Sequence, residues 1–174
     1  HPSFLVKFLK LPKLALYLKK FTRKHDIKLV ISFLTRANYV NIMATWFGSQ
    51  HQPVISERNT PSLTYPSKSL GDIINRILIR MLYPSSTKII AVSKGVKEDL
   101  VKEFNIPNDN INVIYNPYDI RKNTSDSNTS NKHDWLKNES YTTIISVGRL
   151  EKQKNRALLL NAFKEVNDAI PDSR

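Results

Sequence analysis

"TKIIAVSKGVKEDLVKEFNIPNDNINVIYN", residues 87–116, decides the fold. Its first seven residues are a β-branched apolar run that reads as a buried strand, and Ser93 stands where a helix N-cap accepts a hydrogen bond from the first turn. Val96, Leu100, Val101 and Phe104 then recur on one helical face, and "INVIYN" at 111–116 reads as a second strand. Strand, helix and strand in such close succession make a βαβ unit, whose strands run parallel because the helix carries the chain back along the sheet.

The same alternation extends upstream. "IKLVISF" (27–33) and "HQPVISE" (51–57) are strand candidates, separated by a helical stretch that closes near Gly48. Ser69 with Asp72 three residues on forms a capping signal, and Leu70, Ile73, Ile74, Ile77, Leu78 and Met81 follow at helical spacing. Residues 4–22 interleave Leu and Phe with Lys, and Pro12 should kink or restart that helix. Downstream, "NTSDSNTSN" (123–131) lacks any apolar residue and reads as linker. "YTTIISV" (141–147) is a further strand candidate, before a helix over about 155–167 whose stripe is Leu159, Ala162, Phe163 and Val166. The class is therefore α/β: a Rossmann-like parallel sheet with helices expected on both faces. The organisation is an incomplete first domain at 1–117, a linker at 118–140 and the start of a second domain at 141–174. Ligands in such sheets bind beyond the carboxyl ends of strands, so sites belong in the loops after residues 33, 56, 93, 116 and 147.

Composition narrows the function classes. At 40% hydrophobic residues over 174, the chain can bury a real core, and the absence of cysteine excludes disulfides and thiolate metal sites. No apolar run approaches the roughly 20 residues that span a bilayer, and no secretory signal is visible, so a cytoplasmic protein, soluble or peripheral on the inner face of the cell membrane, is expected. Lys and Arg number 27 against 15 Asp and Glu, a net +12, and over half of that surplus lies in residues 1–28. Such a basic end suits an anionic partner: nucleic acid, lipid headgroups or a phosphorylated substrate. A nucleic-acid-binding module is one reading, although aromatic residues are not interleaved with the cations as stacking platforms. His1 is not an initiator and the chain stops at "PDSR" just after a helix, so an internal piece of a longer protein is expected.

The chemistry concentrates in "SVGRLEKQKN", residues 146–155. A loop from a strand's carboxyl end into a helix presents unpaired N–H groups and the positive end of the helix dipole, which stabilise phosphate oxygens. Arg149 adds a forked donor, Lys154 a mobile charge, and Gly148 lets the backbone approach closely. Together they suit a diphosphate; a strand end with two solvated cations is the alternative.

"VGRLEKQKN" resembles the opening of the donor-binding domain in retaining glycosyltransferases of family 4, which have the two-domain B-type fold. "KIIAVSKGVKEDLVKEFNIPNDNINVIYNPYDI" (88–120) is similar to the last strands of that family's acceptor domain, with Asn-Pro-Tyr-Asp in place of Asn-Gly-Val-Asp. "ISERNTP" (55–61) is similar to its bacterial members that build surface polysaccharides and lipid-linked oligosaccharides. The resemblance covers roughly residues 27–170. It implies that Arg149 and Lys154 neutralise a nucleotide-sugar diphosphate, that Gly148 is the backbone-approach position, and that Asn116 and Asp119 close the first domain. It also implies a metal-independent enzyme without cofactor, in keeping with the absence of an Asp-x-Asp pair and the scatter of the four histidines.

Two departures matter. Where many members place a histidine, this chain has Glu57, Arg58 and Asn59, candidates for the acceptor side: Glu57 for a hydroxyl, Arg58 for a phosphate, or else a salt bridge or cap. The family's glycine-rich turn and its downstream pair of glutamates do not occur in residues 1–174, so this stretch alone is expected to be inactive. The loop at 57–69 is expected to shape the acceptor site, and the basic helix at 4–22 either to rest on an anionic membrane or to cover the sheet. The activity implied is transfer of a sugar from a nucleotide diphosphate donor, a UDP-sugar, to a lipid-linked or polysaccharide acceptor, with no nucleic-acid partner. The rivals are the nucleic-acid-binding module and a non-catalytic remnant of the same fold.

Overall fold

The computed structural model describes residues 8–117, 133–137, 140–151 and 154–174. The chain divides into two compact units, 1–117 and 118–174, each treated by itself below.

The first unit opens with α1, Leu11–Lys24, preceded by a short turn of helix from which Pro12 restarts the chain. Proline suits that first turn because its missing N–H has no intrahelical partner to lose. Then come β1 (Leu29–Phe33), α2 (Thr35–Trp46), β2 (Gln52–Glu57), a single turn α3 (Pro61–Thr64) and α4 (Leu70–Leu82). β3 (Lys88–Ala91), α5 (Lys94–Phe104) and β4 (Ile111–Val113) complete it, with 3-10 turns at Tyr83–Ser85 and Asn108–Asn110. The four strands are all parallel and lie side by side in chain order. Ser69 and Asp72 form the expected reciprocal capping box, and the Ser93 hydroxyl accepts from the Val96 N–H at 3.2 Å. Asn105 ends α5 in the left-handed region at φ +58°, which asparagine tolerates, and Gly48 follows α2 at φ +91°, where a side chain would be strained.

The sheet has a covered face and an open one. Ser32, Ile55, Ile89 and Ile111 are in register across the four strands and all buried. They face Ile42 of α2, Ile79 and Leu82 of α4, and Leu100 and Phe104 of α5 in one continuous core. On the opposite face Leu29, Ile31 and Phe33 are each about half exposed (50%, 49% and 52%). The expected second layer of helices is thus absent among the described residues. When strands are added in one direction by right-handed crossovers, every connecting helix falls on the same side.

A second correction concerns α4. Of the stripe that identifies it as a helix, Leu70, Ile73, Ile77 and Met81 are exposed, Ile74 and Leu78 are half-buried with Leu78 packed against the core, and the fully buried positions are Asn75, Ile79 and Leu82. Asn75 is drawn inward because its backbone and side-chain carbonyl oxygens lie 3.1 and 3.2 Å from the buried Tyr39 hydroxyl. The outer end of the layer is closed by Arg76, which pairs with Glu103 at 3.1 Å and stacks over the Phe104 ring.

The second unit is built from α6 (Asp134–Lys137) and α7 (Arg156–Ala169). Residues 141–147, expected as a strand, form only an isolated parallel bridge, Thr142 to Ser173, supported by backbone bonds between Thr142, Ile144, Asp172 and Arg174. A strand needs a neighbour along its length, and 172–174 supply three residues. Of the expected linker 118–140, residues 118–132, 138 and 139 lie outside the described residues, as do 1–7 of the basic segment.

At the amino ends of β1 and β2 a buried histidine joins two elements. His51 Nε2 donates to Asn41 Oδ1 at 2.8 Å, while Asn41 Nδ2 bonds the carbonyls of Val30 and Val54, and His51 Nδ1 lies 2.8 Å from the Ser49 hydroxyl. Burial holds the imidazole pKa below the ordinary 6.5, so the folded protein resists protonating it. The unfolded chain takes up that proton more readily, so this contribution to stability is complete above pH 6.5 and is lost as the pH falls below it. Urea unfolding of His51→Gln from pH 8 to pH 5 is expected to show a shallower acid loss than the unaltered chain, and parallel curves would exclude His51 as the cause.

Candidate functional site

The carboxyl edge of the first unit's sheet is organised around one buried acid. Glu57, the last residue of β2, is 1% exposed. Its Oε2 accepts from the Tyr83 hydroxyl at 2.5 Å and its Oε1 from the Arg58 N–H at 3.2 Å. Tyr83 accepts in turn from Asn38 Nδ2 at 3.2 Å, which also bonds the Ser56 carbonyl, and Asn38 Oδ1 accepts from the Ser32 hydroxyl at 2.8 Å. Burial raises the Glu57 pKa above its ordinary 4.5, opposed by the Tyr83 hydroxyl and the N–H groups of Asn59 and Arg58. Burial also pushes the Tyr83 phenol well above its usual range, so it remains a donor.

This network aims the loop beyond it. With the Arg58 N–H held by Glu57, the Arg58 guanidinium reaches across the sheet edge and Nη2 donates to Asn116 Oδ1 at 2.7 Å. Two loops that follow non-adjacent strands, β2 and β4, are thereby joined over the end of β3. Arg58 and Asn59 are exposed at this rim. The expected long loop at 57–69 is in fact interrupted by α3, whose Ser62 donates its N–H to Asp99 Oδ2 at 3.1 Å and its hydroxyl to Oδ1. Leu34, between β1 and α2, sits at φ +73°, a strained value for a branched side chain, and adds to the irregular backbone along the same edge.

In the second unit, the loop from residue 146 to α7 brings its cations near Gly148, which is held at φ +154°, outside ordinary L-residue territory. A Cβ there would stand 3.7 Å from Lys154 Cε and 3.4 Å from Arg156 Nη2. Arg149 is 77% exposed and pairs with Glu151 at 2.9 Å. Such an exposed pair is worth only about 0.2–1 kcal/mol, so an incoming dianion competes with it readily. A cavity of ≈ 470 Å³ lies against α7; its apolar wall includes Ile144, Leu159, Phe163 and Val166, and Ser146 and Arg156 also line it.

The sequence-derived candidates thus fall into two groups. Gly148, Lys154 and Arg149 share one loop; Glu57, Arg58 and Asn59 share one rim, but Glu57 turns inward and serves the rim's geometry while Arg58 and Asn59 remain open. Asn116 lies at the rim as Arg58's partner, and Asp119 lies outside the described residues. Sequence reasoning missed Tyr83, Asn38 and Arg156. An asparagine within α2 and a tyrosine just after α4 carry no local signal, whereas Arg156, two residues after Lys154, sat in view within the same basic cluster.

Two comparisons bear on this arrangement. Residues 2–122 match the family model of Glycosyltransferase Family 4. The chain is also 39% identical over 163 residues to the N-acetylgalactosamine-N,N'-diacetylbacillosaminyl-diphospho-undecaprenol 4-alpha-N-acetylgalactosaminyltransferase of Campylobacter jejuni. That alignment covers 91% of this chain and 42% of the relative, so the chain spans less than half the length of the protein it matches.

Tyr83→Phe leaves one Glu57 oxygen buried without its hydroxyl donor, at an expected loss of about 1–3 kcal/mol. The Tyr83 bond favours the ionised carboxylate, so removing it raises the Glu57 pKa further and the loss should be larger at pH 8 than at pH 5. Urea midpoints at the two pH values measure this, and equal losses would separate the hydroxyl from the acid's ionisation.

Proposed function

The chain belongs to glycosyltransferase family 4, and from that premise we propose that the protein carrying it transfers a sugar from a nucleotide diphosphate donor, a UDP-sugar, to a lipid-linked acceptor. The observation that carries the reading is the gathering of Lys154 beside a glycine of positive φ, in a loop that also bears Arg149 and runs into the amino end of a helix. As the bond from the sugar's anomeric carbon to the diphosphate oxygen breaks, negative charge grows on the departing nucleoside diphosphate. Preplaced cations and N–H groups stabilise that charge more than they stabilise the intact donor, which is the condition for accelerating the step. Two cationic side chains would here take the part that a bound metal plays elsewhere, and no cofactor is invoked.

The acceptor reading draws on the relative, whose name carries a diphospho-undecaprenol substrate. A lipid-linked diphosphate needs cations at the acceptor side, and Arg58, fixed by Asn116 at the rim, fits that need. It also brings the enzyme to a membrane surface. α1 supports such a contact: Lys13, Lys20 and Lys24 share its outward face with Leu16 and Tyr17, both at least half exposed. No described helix is long and apolar enough to cross a membrane. The basic surplus that raised a nucleic-acid reading is accounted for by phosphorylated substrates and headgroups.

In the full-length protein carrying this chain, Arg149→Ala and Lys154→Ala each remove a charge-assisted hydrogen bond of about 1.5–3 kcal/mol, or tenfold and more in donor kcat/KM. Transfer from a labelled UDP-sugar to a polyprenyl-diphosphate-linked saccharide is the assay. Unchanged donor kinetics in both variants would falsify the diphosphate assignment.

A further inference from the structure

We propose that Arg156 is the positioning residue of the stretch 146–149, holding the peptide groups that follow Ser146 and Gly148 in the orientation that receives a diphosphate; this rests on the reading of the loop given above. The sequence pairs Arg149 with Lys154 as cations for the ligand, yet Arg149 is solvated and already engaged with Glu151. Arg156, in the first turn of α7, is the cation fixed by its surroundings. Its Nη2 donates to the Gly148 carbonyl at 2.6 Å, and its Nη1 to the Ser146 hydroxyl at 3.2 Å and the Ser146 carbonyl at 3.4 Å.

Those bonds have a geometric consequence. In a trans peptide the C=O and the N–H of the next residue point in opposite directions. Drawing the Ser146 and Gly148 carbonyls onto the guanidinium therefore turns the N–H groups of Val147 and Arg149 away from it, leaving them as donors for an anion. Removing the carbonyls also takes away the oxygens that would repel a phosphate from this stretch of backbone. Glycine is favoured at residue 148 by its positive φ; a Cβ there would also touch Arg156 Nη2, at 3.4 Å.

A second observation sets Arg156 apart from an ordinary surface arginine. Its Nε is buried without a hydrogen-bond partner. A leucine or lysine at that helix position would carry no such unmet donor, so the placement is explained by what the two terminal nitrogens do for the loop.

The test uses the full-length protein carrying this chain, with UDP-sugar kinetics, binding of UDP and of inorganic pyrophosphate by calorimetry, and thermal unfolding of each variant. Arg156→Ala is expected to raise donor KM about tenfold and weaken UDP and pyrophosphate alike, with acceptor KM unchanged; Arg156→Lys, which can still meet one carbonyl, should recover part of the loss. Ser146→Ala, which removes one acceptor of the guanidinium, should raise donor KM about two- to threefold. Donor KM unmoved in Arg156→Ala, while Arg149→Ala and Lys154→Ala raise it, overturns the positioning role and leaves the diphosphate site standing. Equal loss in both substrates together with a lowered unfolding temperature, unrescued by lysine, assigns Arg156 to folding alone and also overturns it. If Arg149→Ala and Lys154→Ala leave donor handling unchanged, the site itself falls and the positioning role with it. Should Arg156→Ala not fold, Arg156→Lys and Ser146→Ala decide, and unchanged donor KM in both rejects the proposal.

Discussion

A carboxyl group buried at the end of a strand must find hydrogen-bond donors, and much of the first unit's sheet edge is arranged to supply them. Glu57 takes a phenol hydroxyl from beyond α4 and an N–H from its own loop; the phenol takes an amide from α2; the amide takes a hydroxyl from β1. Each link satisfies a group that would otherwise sit in the core unpaired, at a penalty of about 1–3 kcal/mol apiece. The chain of bonds passes through β1, α2, β2 and the turn before β3, so displacing any one of these elements breaks it. A network of this kind specifies one packing arrangement more sharply than apolar contacts do, because hydrogen bonds depend on direction as well as distance. The loop that emerges from it, with Arg58 pinned on Asn116, inherits that definition.

The sheet itself is built in a single direction. Four parallel strands in chain order place every crossover helix on one side, which gathers Ile55, Ile89, Ile111 and their helical partners into one core and leaves Leu29, Ile31 and Phe33 half exposed on the other. The one-sided layering also explains why the carboxyl ends of β2 and β4 can be bridged by a single side chain. Both loops leave the sheet at the same edge, one strand apart, and an extended guanidinium spans the gap. In the second unit the comparable device is Arg156, a cation bound inward to the loop it shapes, beside two others that remain in solvent.

The α/β class, the parallel strands and the helix caps at Ser69 and Ser93 were legible in residues 27–116, and the family in motifs spread over residues 27–170, because each rests on local pattern. A β-branched run bounded by a cap, or apolar residues at helical spacing, has the same meaning wherever it occurs. The cation cluster proposed to hold a diphosphate is a local pattern of the same kind: Gly148, Arg149 and Lys154 lie within seven residues of one another. The sequence was misleading where a helix had more than one apolar face. In α4 Leu70, Ile73, Ile77 and Met81 of the conspicuous stripe are exposed while Leu78 packs against the core, and Asn75 goes inward because the Tyr39 hydroxyl waits there.

What the sequence determined by itself was therefore the order and kind of the main strands and helices of the first unit, their caps at Ser69 and Ser93, and which loops carry charge. Tertiary structure alone decided that Glu57 faces inward, that Arg58 meets Asn116 across 58 positions of chain, and that α4 buries an asparagine. Local pattern is set by steric and solvation preferences acting within a few residues, whereas a buried polar group's orientation depends on partners brought together only when distant segments pack.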